Sequence, residues 1–315
     1  MAKRSTLVMA AAGIVLVAAG AIVKWVVAPA LVKAPLDITS TTVAEGNSKV
    51  FVIAAQAVQE VHVIATRVVT GDKHAGTGDV AVYDETLCLV AEGTKVDSAG
   101  CASAADPGFI EKTTDRVAFD RVDATAVADQ KYKANVNGDA AVKHTGLDYT
   151  FPIDTAKRTY SLFDTIAGKA FPAKYEGSQT LHGLTVYRFV QQIPDTPIKI
   201  QSLIPGIYSG TTTVWVEPTT GVIVKGAQHI VQKFASDESV VFDGTLTFND
   251  KTVREQADFA DDQLTKIHLI RNWVPLALAM IGILLLATAW FAARRRRPSE
   301  VVPTEPLASP DAEQG

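Results

Sequence analysis

Residues 273–293 read WVPLALAMIGILLLATAWFAA, a run of 21 positions without a charge. At 1.5 Å per helical residue the run covers about 31 Å, the thickness of a bilayer's hydrocarbon layer. Trp273 and Trp290 stand near its two ends, and Arg294, Arg295, Arg296 and Arg297 follow it. Interfacial aromatics ahead of a block of arginines form a stop-transfer signal. Helices buried in soluble domains seldom stay uncharged for so long, so the reading is a transmembrane helix over 273–293.

A second uncharged run lies at the other end of the chain, TLVMAAAGIVLVAAGAIV at 6–23. With Lys24 and Trp25 as interfacial anchors it reads as a transmembrane helix over 6–27, after a short cytoplasmic N-terminus at 1–5. Lys3, Arg4, the apolar run and Ala28-Pro29-Ala30 also fit the three regions of a cleaved signal peptide. The length of the run and the Lys24-Trp25 pair favour retention. Positive charge beyond both spans places both termini in the cytoplasm of a two-pass plasma-membrane protein, with the large domain extracytoplasmic. The tail 294–315 is rich in Pro, Glu, Ser and Ala without apolar periodicity, and reads as disordered.

Between the spans the pattern is that of an α+β protein with a β-rich exterior domain at 28–248. Residues 58–69 (VQEVHVIATRVV) and 79–90 alternate apolar and polar side chains, as half-buried strands do. A short strand is expected at 116–122, a hairpin of 211–216 and 222–231 closed by Glu217-Pro218-Thr219-Thr220-Gly221, and a last strand at 240–248. Residues 123–146, with their Asn137-Gly138 turn, read as an exposed connection with room for a short helix, and as the place where the domain would subdivide. From 249 to 272 the period changes to 3.6. Val253, Ala257, Ala260, Leu264 and Ile267 form one apolar stripe of a juxtamembrane amphipathic helix capped by Asn249 or Asp250. No fixed-period repeat is present.

The chain carries a net charge of −4, although its two ends hold six basic residues beyond the spans. The exterior is therefore acidic, which argues against nucleic acid as a partner. Cys88 and Cys101 are the only cysteines. A lone pair in an oxidising compartment most simply closes a local disulfide loop; a metal pair or redox dithiol fits poorly, since the spacing is not C-x-x-C and no His lies between them.

Signals of catalysis are lacking. The histidines 62, 74, 144, 182, 229 and 268 form no H-E-x-x-H and no H-x-H motif, so no metal ligand is expected. G-x-S-x-G and S-x-x-K are absent. Ala75-Gly76-Thr77-Gly78 lacks the Lys-Ser/Thr of a phosphate loop, and residues 133–144 place Lys and His where a calcium loop needs carboxylates. The expectation is no enzyme, no catalytic residue and no cofactor. Phe151, Tyr160, Phe163, Phe171, Tyr175, Tyr187 and Phe189 crowd one region. They read either as a domain core or as an apolar groove suited to an acyl chain.

Several separated segments carry a resemblance: APALVKAPLD at 28–37, RVAFDR at 116–121, LDYTFPIDTAKRTYSLFD at 147–164, HGLTVYRF at 182–189 and VWVEPTTGVIV at 214–224. The chain resembles actinobacterial envelope proteins of the PorA-type porin family, over nearly all of its length from Lys24 through the second span. The resemblance implies passage of small solutes through the envelope of mycolate-bearing actinobacteria. The residues add a constraint. Exterior strands charged on both faces do not cross lipid, and two apolar helices without a polar stripe line no channel. A pore would require a homo-oligomer with its path through the exterior domain. The expected role is the handling of a small solute or lipid in a cavity of that domain. The alternative is a non-transporting scaffold that gathers other envelope proteins.

Overall fold

The structure is a computed structural model describing residues 2–52, 55–201 and 203–295. Arg296, Arg297 and the rest of the expected disordered tail lie outside the described residues. Four α-helices occur among them: α1 (Ala2–Ile22), α2 (Ala28–Leu31), α3 (Asp250–His268) and α4 (Val274–Arg294). The chain divides into two compact units, residues up to 28 with those from 269 on, and residues 29–268.

In the first unit α1 packs along α4. Glycines set the closeness of that contact. A Cβ on Gly13 would stand 2.7 Å from the Gly282 carbonyl oxygen, and one on Gly20 would stand 2.9 Å from that of Pro275. Small residues let helix backbones approach where lipid offers no hydrophobic drive. The outer faces keep Leu7, Ile14, Ile283 and Leu284 exposed. By length and composition both helices suit a membrane crossing.

The second unit is an 11-stranded antiparallel half-barrel. Its strands are β1 (Thr39–Val52), β2 (Ala57–Gly71), β3 (Val80–Ala91), β4 (Phe109–Asp120), β5 (Asn135–Val136) and β6 (Tyr160–Asp164), followed by β7 (Lys169–Leu181), β8 (Leu184–Ile200), β9 (Ile204–Val216), β10 (Ile223–Phe234) and β11 (Val240–Phe248). The spatial order runs β5-β4-β3-β2-β1-β11-β10-β9-β8-β7-β6. Two meanders are thus joined at a central β1–β11 seam, where Ala44 pairs Phe248 and Val50 pairs Phe242. Register shifts at Leu89/Val90, Tyr175/Gly177, Ile193/Thr196, Ile223/Lys225 and Gln232/Lys233 bend these long strands. The curled sheet then buries its concave face on itself. Val63, Ala65 and Leu89 from one flank meet Phe171, Ile193, Tyr208 and Ile230 from the other. One such side chain removed from water contributes about 1.5–3 kcal/mol.

The strands read from alternation are present, with β4 and the β9–β10 hairpin longer than expected. In the turn, buried Glu217 accepts from the Thr219 and Thr220 amides, and Gly221 takes φ +77°. The strands β1, β6, β7 and β8 carry weaker signals. β8 contains Pro194 and Pro197, which normally demote a strand. Here both fall beyond Gln191, the last β8 residue paired to β7, so that side of β8 needs no amide donor. In the 123–146 connection the structure forms a 3-10 turn at Gln130–Tyr132, the two-residue β5 and isolated bridges at Ala126 and Asp139. Asn137 and Gly138 both adopt positive φ, the requirement of a tight primed turn.

Helix α3 starts where the Asn249 side chain accepts the Thr252 amide at 2.9 Å. Its stripe, Val253, Ala257 and Ala260, is buried against Leu184, Val186 and Val224.

Candidate functional site

The two edges of the half-barrel, β5 and β6, do not pair with each other. The segment between Asp120 and Tyr160 covers the gap. Ala126 bridges to Phe119 of β4, and Leu147 bridges to Leu162 of β6, so open edges are shielded from pairing with other chains. Gly146 makes this crossing feasible. It adopts φ +75°, and a Cβ there would collide with the Ser161 carbonyl oxygen.

The crossing carries His144, Asp148 and Tyr149 to Asp115 of β4. His144 Nε2 and Asp115 Oδ1 stand 2.7 Å apart, and the Tyr149 hydroxyl donates to Asp115 Oδ2 at 2.8 Å. Asp148 Oδ2 lies 3.8 Å from His144 Nε2. Phe163 packs on the imidazole at a ring separation of 4.6 Å. The side chains of His144, Asp115 and Asp148 are 3%, 0% and 8% exposed. Asp148 Oδ2 and His144 Nδ1 have no hydrogen-bond partner among the described residues.

Charge around this cluster is unbalanced. Glu85 sits directly opposite Asp115 in the β3–β4 register, and Arg67 pairs with Glu85 at 3.3 Å. Arg67 lies deep among protein atoms yet keeps 40% of its side chain open to water, as expected inside an open concavity. Burial pushes the Glu85 carboxyl up despite Arg67. Burial, with Asp115 and Glu85 as like charges, pushes Asp148 well above the usual carboxylate range. The same causes raise Tyr149, which therefore stays an O–H donor. On the opposite flank Asp164 is raised by burial and accepts from the Tyr208 hydroxyl at 2.9 Å.

A separate groove of about 360 Å³ opens within the same unit between the start of β1 and α3. Ile38, Val43 and Phe259 give it apolar surface; Thr39, Thr41, Lys251 and Glu255 give it polar surface. Its volume falls at the small end of ligand pockets.

The aromatic residues singled out in the sequence separate into layers. Phe151, Tyr160 and Phe189 are buried in one cluster with ring separations of 4.7–5.6 Å, and Tyr175 and Tyr187 pack half-buried against it. Phe171 belongs to the main core, and Phe163 faces His144. None of the seven lines the β1–α3 groove. Cys88 of β3 and Cys101 form the disulfide with a Cα separation of 5.2 Å. Asp97 shapes the loop by accepting the Ala99 and Cys101 amides. Trp25, Trp273 and Trp290 remain exposed, with Lys24 over Trp25 at 5.8 Å and Arg294 over Trp290 at 4.2 Å. Arg295 ends α4 as its C-cap.

Sequence inspection missed the meeting of Asp115 with His144. One signal was present: His144 and Asp148 are four residues apart. Nothing in the spacing announces the third partner, 29 positions upstream of His144.

The fold defines a class, proteins with an antiparallel β domain between two apolar helices long enough to cross a membrane. The particular family follows from comparison with known proteins. The family model described as Porin PorA matches residues 5–291, and the chain belongs to that family. It is similar to Porin PorA of Corynebacterium resistens, 25% identical with 61% of this chain and 68% of the relative covered. It is also similar to Porin PorA of Corynebacterium amycolatum, 24% identical with 41% and 46% covered, so that alignment spans under half of the relative. Membership makes this an envelope membrane protein.

Proposed function

We propose that this protein is a two-pass inner-membrane component, both termini cytoplasmic, whose exterior half-barrel handles a small amphiphilic solute or lipid. The observation that carries the reading is the β1–α3 groove, where Ile38, Val43 and Phe259 share a wall with Thr41 and Lys251. Such a mixed lining suits a molecule with one apolar and one polar part. The orientation rests on Lys3 and Arg4 before one span and four arginines after the other. The relatives' name, porin, suggests passage of solutes. In this chain a water path would require several copies, because neither α1 nor α4 presents a charged or strongly polar stripe.

The test is mass spectrometry of small molecules retained by the detergent-extracted full chain, compared with Thr41→Trp, which fills the groove. Expected is a retained amphiphile lost in the variant. Equal retention in both proteins, or none in either, sinks the groove reading. Planar-bilayer recordings without conductance steps would sink the pore.

A second reading, a scaffold for other envelope proteins, is favoured by apolar side chains exposed at one end of the sheet. Leu203 and Ile204 at the β8–β9 turn and Val58 at the start of β2 are exposed there. A Leu203→Glu change that abolishes co-purifying partners while leaving the groove ligand bound would decide for the scaffold.

A further inference from the structure

The geometry points to a divalent transition-metal site formed by Asp115, His144 and Asp148 at the gap between the sheet edges, with zinc as the ion that fits best. The three side chains come from two stretches of chain, β4 and the crossing segment, and each offers a ligand atom within 4.8 Å of the others. Spacing alone does not make a site. The second observation is Asp148 Oδ2, which is aimed at the imidazole at 3.8 Å, sits on a side chain 8% exposed and has no hydrogen-bond partner among the described residues. A buried carboxylate oxygen without a donor is costly, and the fold keeps it beside Asp115, which Glu85 faces in the β3–β4 register. Arg67, in the same concavity, is already paired with Glu85. A metal ion between Asp115, His144 and Asp148 takes the free lone pair of Asp148 Oδ2.

The donor types narrow the ion. Two carboxylate oxygens and one imidazole nitrogen suit zinc or manganese, whereas calcium and magnesium prefer all-oxygen shells. Donors on a four-coordinate zinc stand about 3.3 Å apart. The two carboxylate oxygens stand 2.7 Å and 3.8 Å from Nε2, on either side of that value, and all three ligand atoms lie within 4.8 Å of one another. Tyr149 holds Asp115 by its other oxygen, the support that ligating carboxylates usually receive. The imidazole plane is set by Phe163, not by a hydrogen bond at Nδ1. An ion bound at Nε2 takes the place of the hydrogen bond between that nitrogen and Asp115. Three protein ligands leave a fourth position for water. Asp148, the most exposed of the three, marks the side of entry.

The experiment uses the full chain in detergent, without a histidine tag, stripped by chelator and dialysed against micromolar zinc chloride. Expected is one zinc per chain by elemental analysis, together with a rise in unfolding temperature. Asp148→Asn is the decisive variant. It keeps the size and shape of the side chain and replaces a ligand oxygen by an amide, so it should leave the metal-free fold intact, weaken zinc binding by about 100-fold or more and erase the temperature rise. Replacement of zinc by cobalt should give the visible absorption of a tetrahedral site in the native chain only. A native chain that takes up no zinc overturns the assignment. So does an Asp148→Asn variant that binds as well as the native chain.

Discussion

The two flanks of the β1–β11 seam share one architecture and differ in what they turn inward. From β2 to β4 the inward positions alternate apolar residues with ions: Val63, Ala65 and Leu89 beside Arg67, Glu85 and Asp115. From β7 to β9 they are mostly rings and branched aliphatics, with Phe171, Phe189, Tyr208 and Val214 buried. Antiparallel pairing therefore tolerates either lining; the energetic consequences differ. The aromatic flank gains area burial and ring contacts. The charged flank loses hydration and recovers it only where partners are complete. Replacing buried ions by apolar residues is often neutral or stabilising, so packing energy alone does not account for Arg67, Glu85 and Asp115 on this flank.

The largest expected effect lies on the aromatic flank. Phe189→Ala removes a fully buried ring that touches Phe151, Tyr160 and Tyr175, and should cost about 3–5 kcal/mol in denaturant unfolding. A loss below 1 kcal/mol would mean that the flank repacks freely and that the contrast is overstated. On the other flank, replacing Cys88 and Cys101 together by Ser opens a loop of sequence separation 13 and should cost about 3 kcal/mol. Unfolding with and without reductant checks it, since the native chain in reductant should match the variant.

Arg67→Met should cost less, about 1–3 kcal/mol, because solvent still reaches 40% of the side chain and screens the pair with Glu85. The double change Arg67→Met with Glu85→Gln should recover most of that loss. A double variant as unstable as the single one would show that Arg67 acts through packing and not through charge.

The smallest effect concerns Asp164, the buried acid of the aromatic flank, whose carboxyl is raised by burial. A group with a raised folded-state pKa contributes its stability in full below the ordinary carboxylate range and loses it as pH rises through the raised value. The unfolding temperature should therefore fall slightly as pH goes up from about 4, the ordinary carboxylate value. Asp164→Asn should remove its share of that slope, leaving the part due to Glu85 and Asp148, which burial also raises. A slope unchanged by the substitution would remove Asp164 as its source.

Legibility followed the strength of local pattern. β2, β3, β11 and α3 alternate or repeat cleanly, and the Asn137-Gly138 and Glu217 to Gly221 turns carry their own chemistry. β1 reads TSTTVAEGNSKVFV, polar and interrupted by Gly46, and takes its place because β2 and β11 pair on either side of it. β8 holds two prolines tolerated only where β7 no longer reaches. The aromatic cluster was visible as a cluster, but its division between a core and the His144 contact was not. The Asp115–His144 pair was invisible, since the crossing segment that joins them looks in sequence like an exposed loop.

Composition alone determined the two apolar helices, the acidic balance of the region between them and the pairing of the two cysteines, because charge-free length and the lack of competing thiols are local properties. Periodicity determined which side chains of each clear strand share a face. Which faces then meet was decided only by the tertiary structure. Alternation tells a side chain to point inward but not what stands opposite, and that depends on a seam between β1 and β11, almost 200 residues apart in the chain. The same closure leaves a gap at β5 and β6, and the segment that fills it brings His144, Asp148 and Asp115 together.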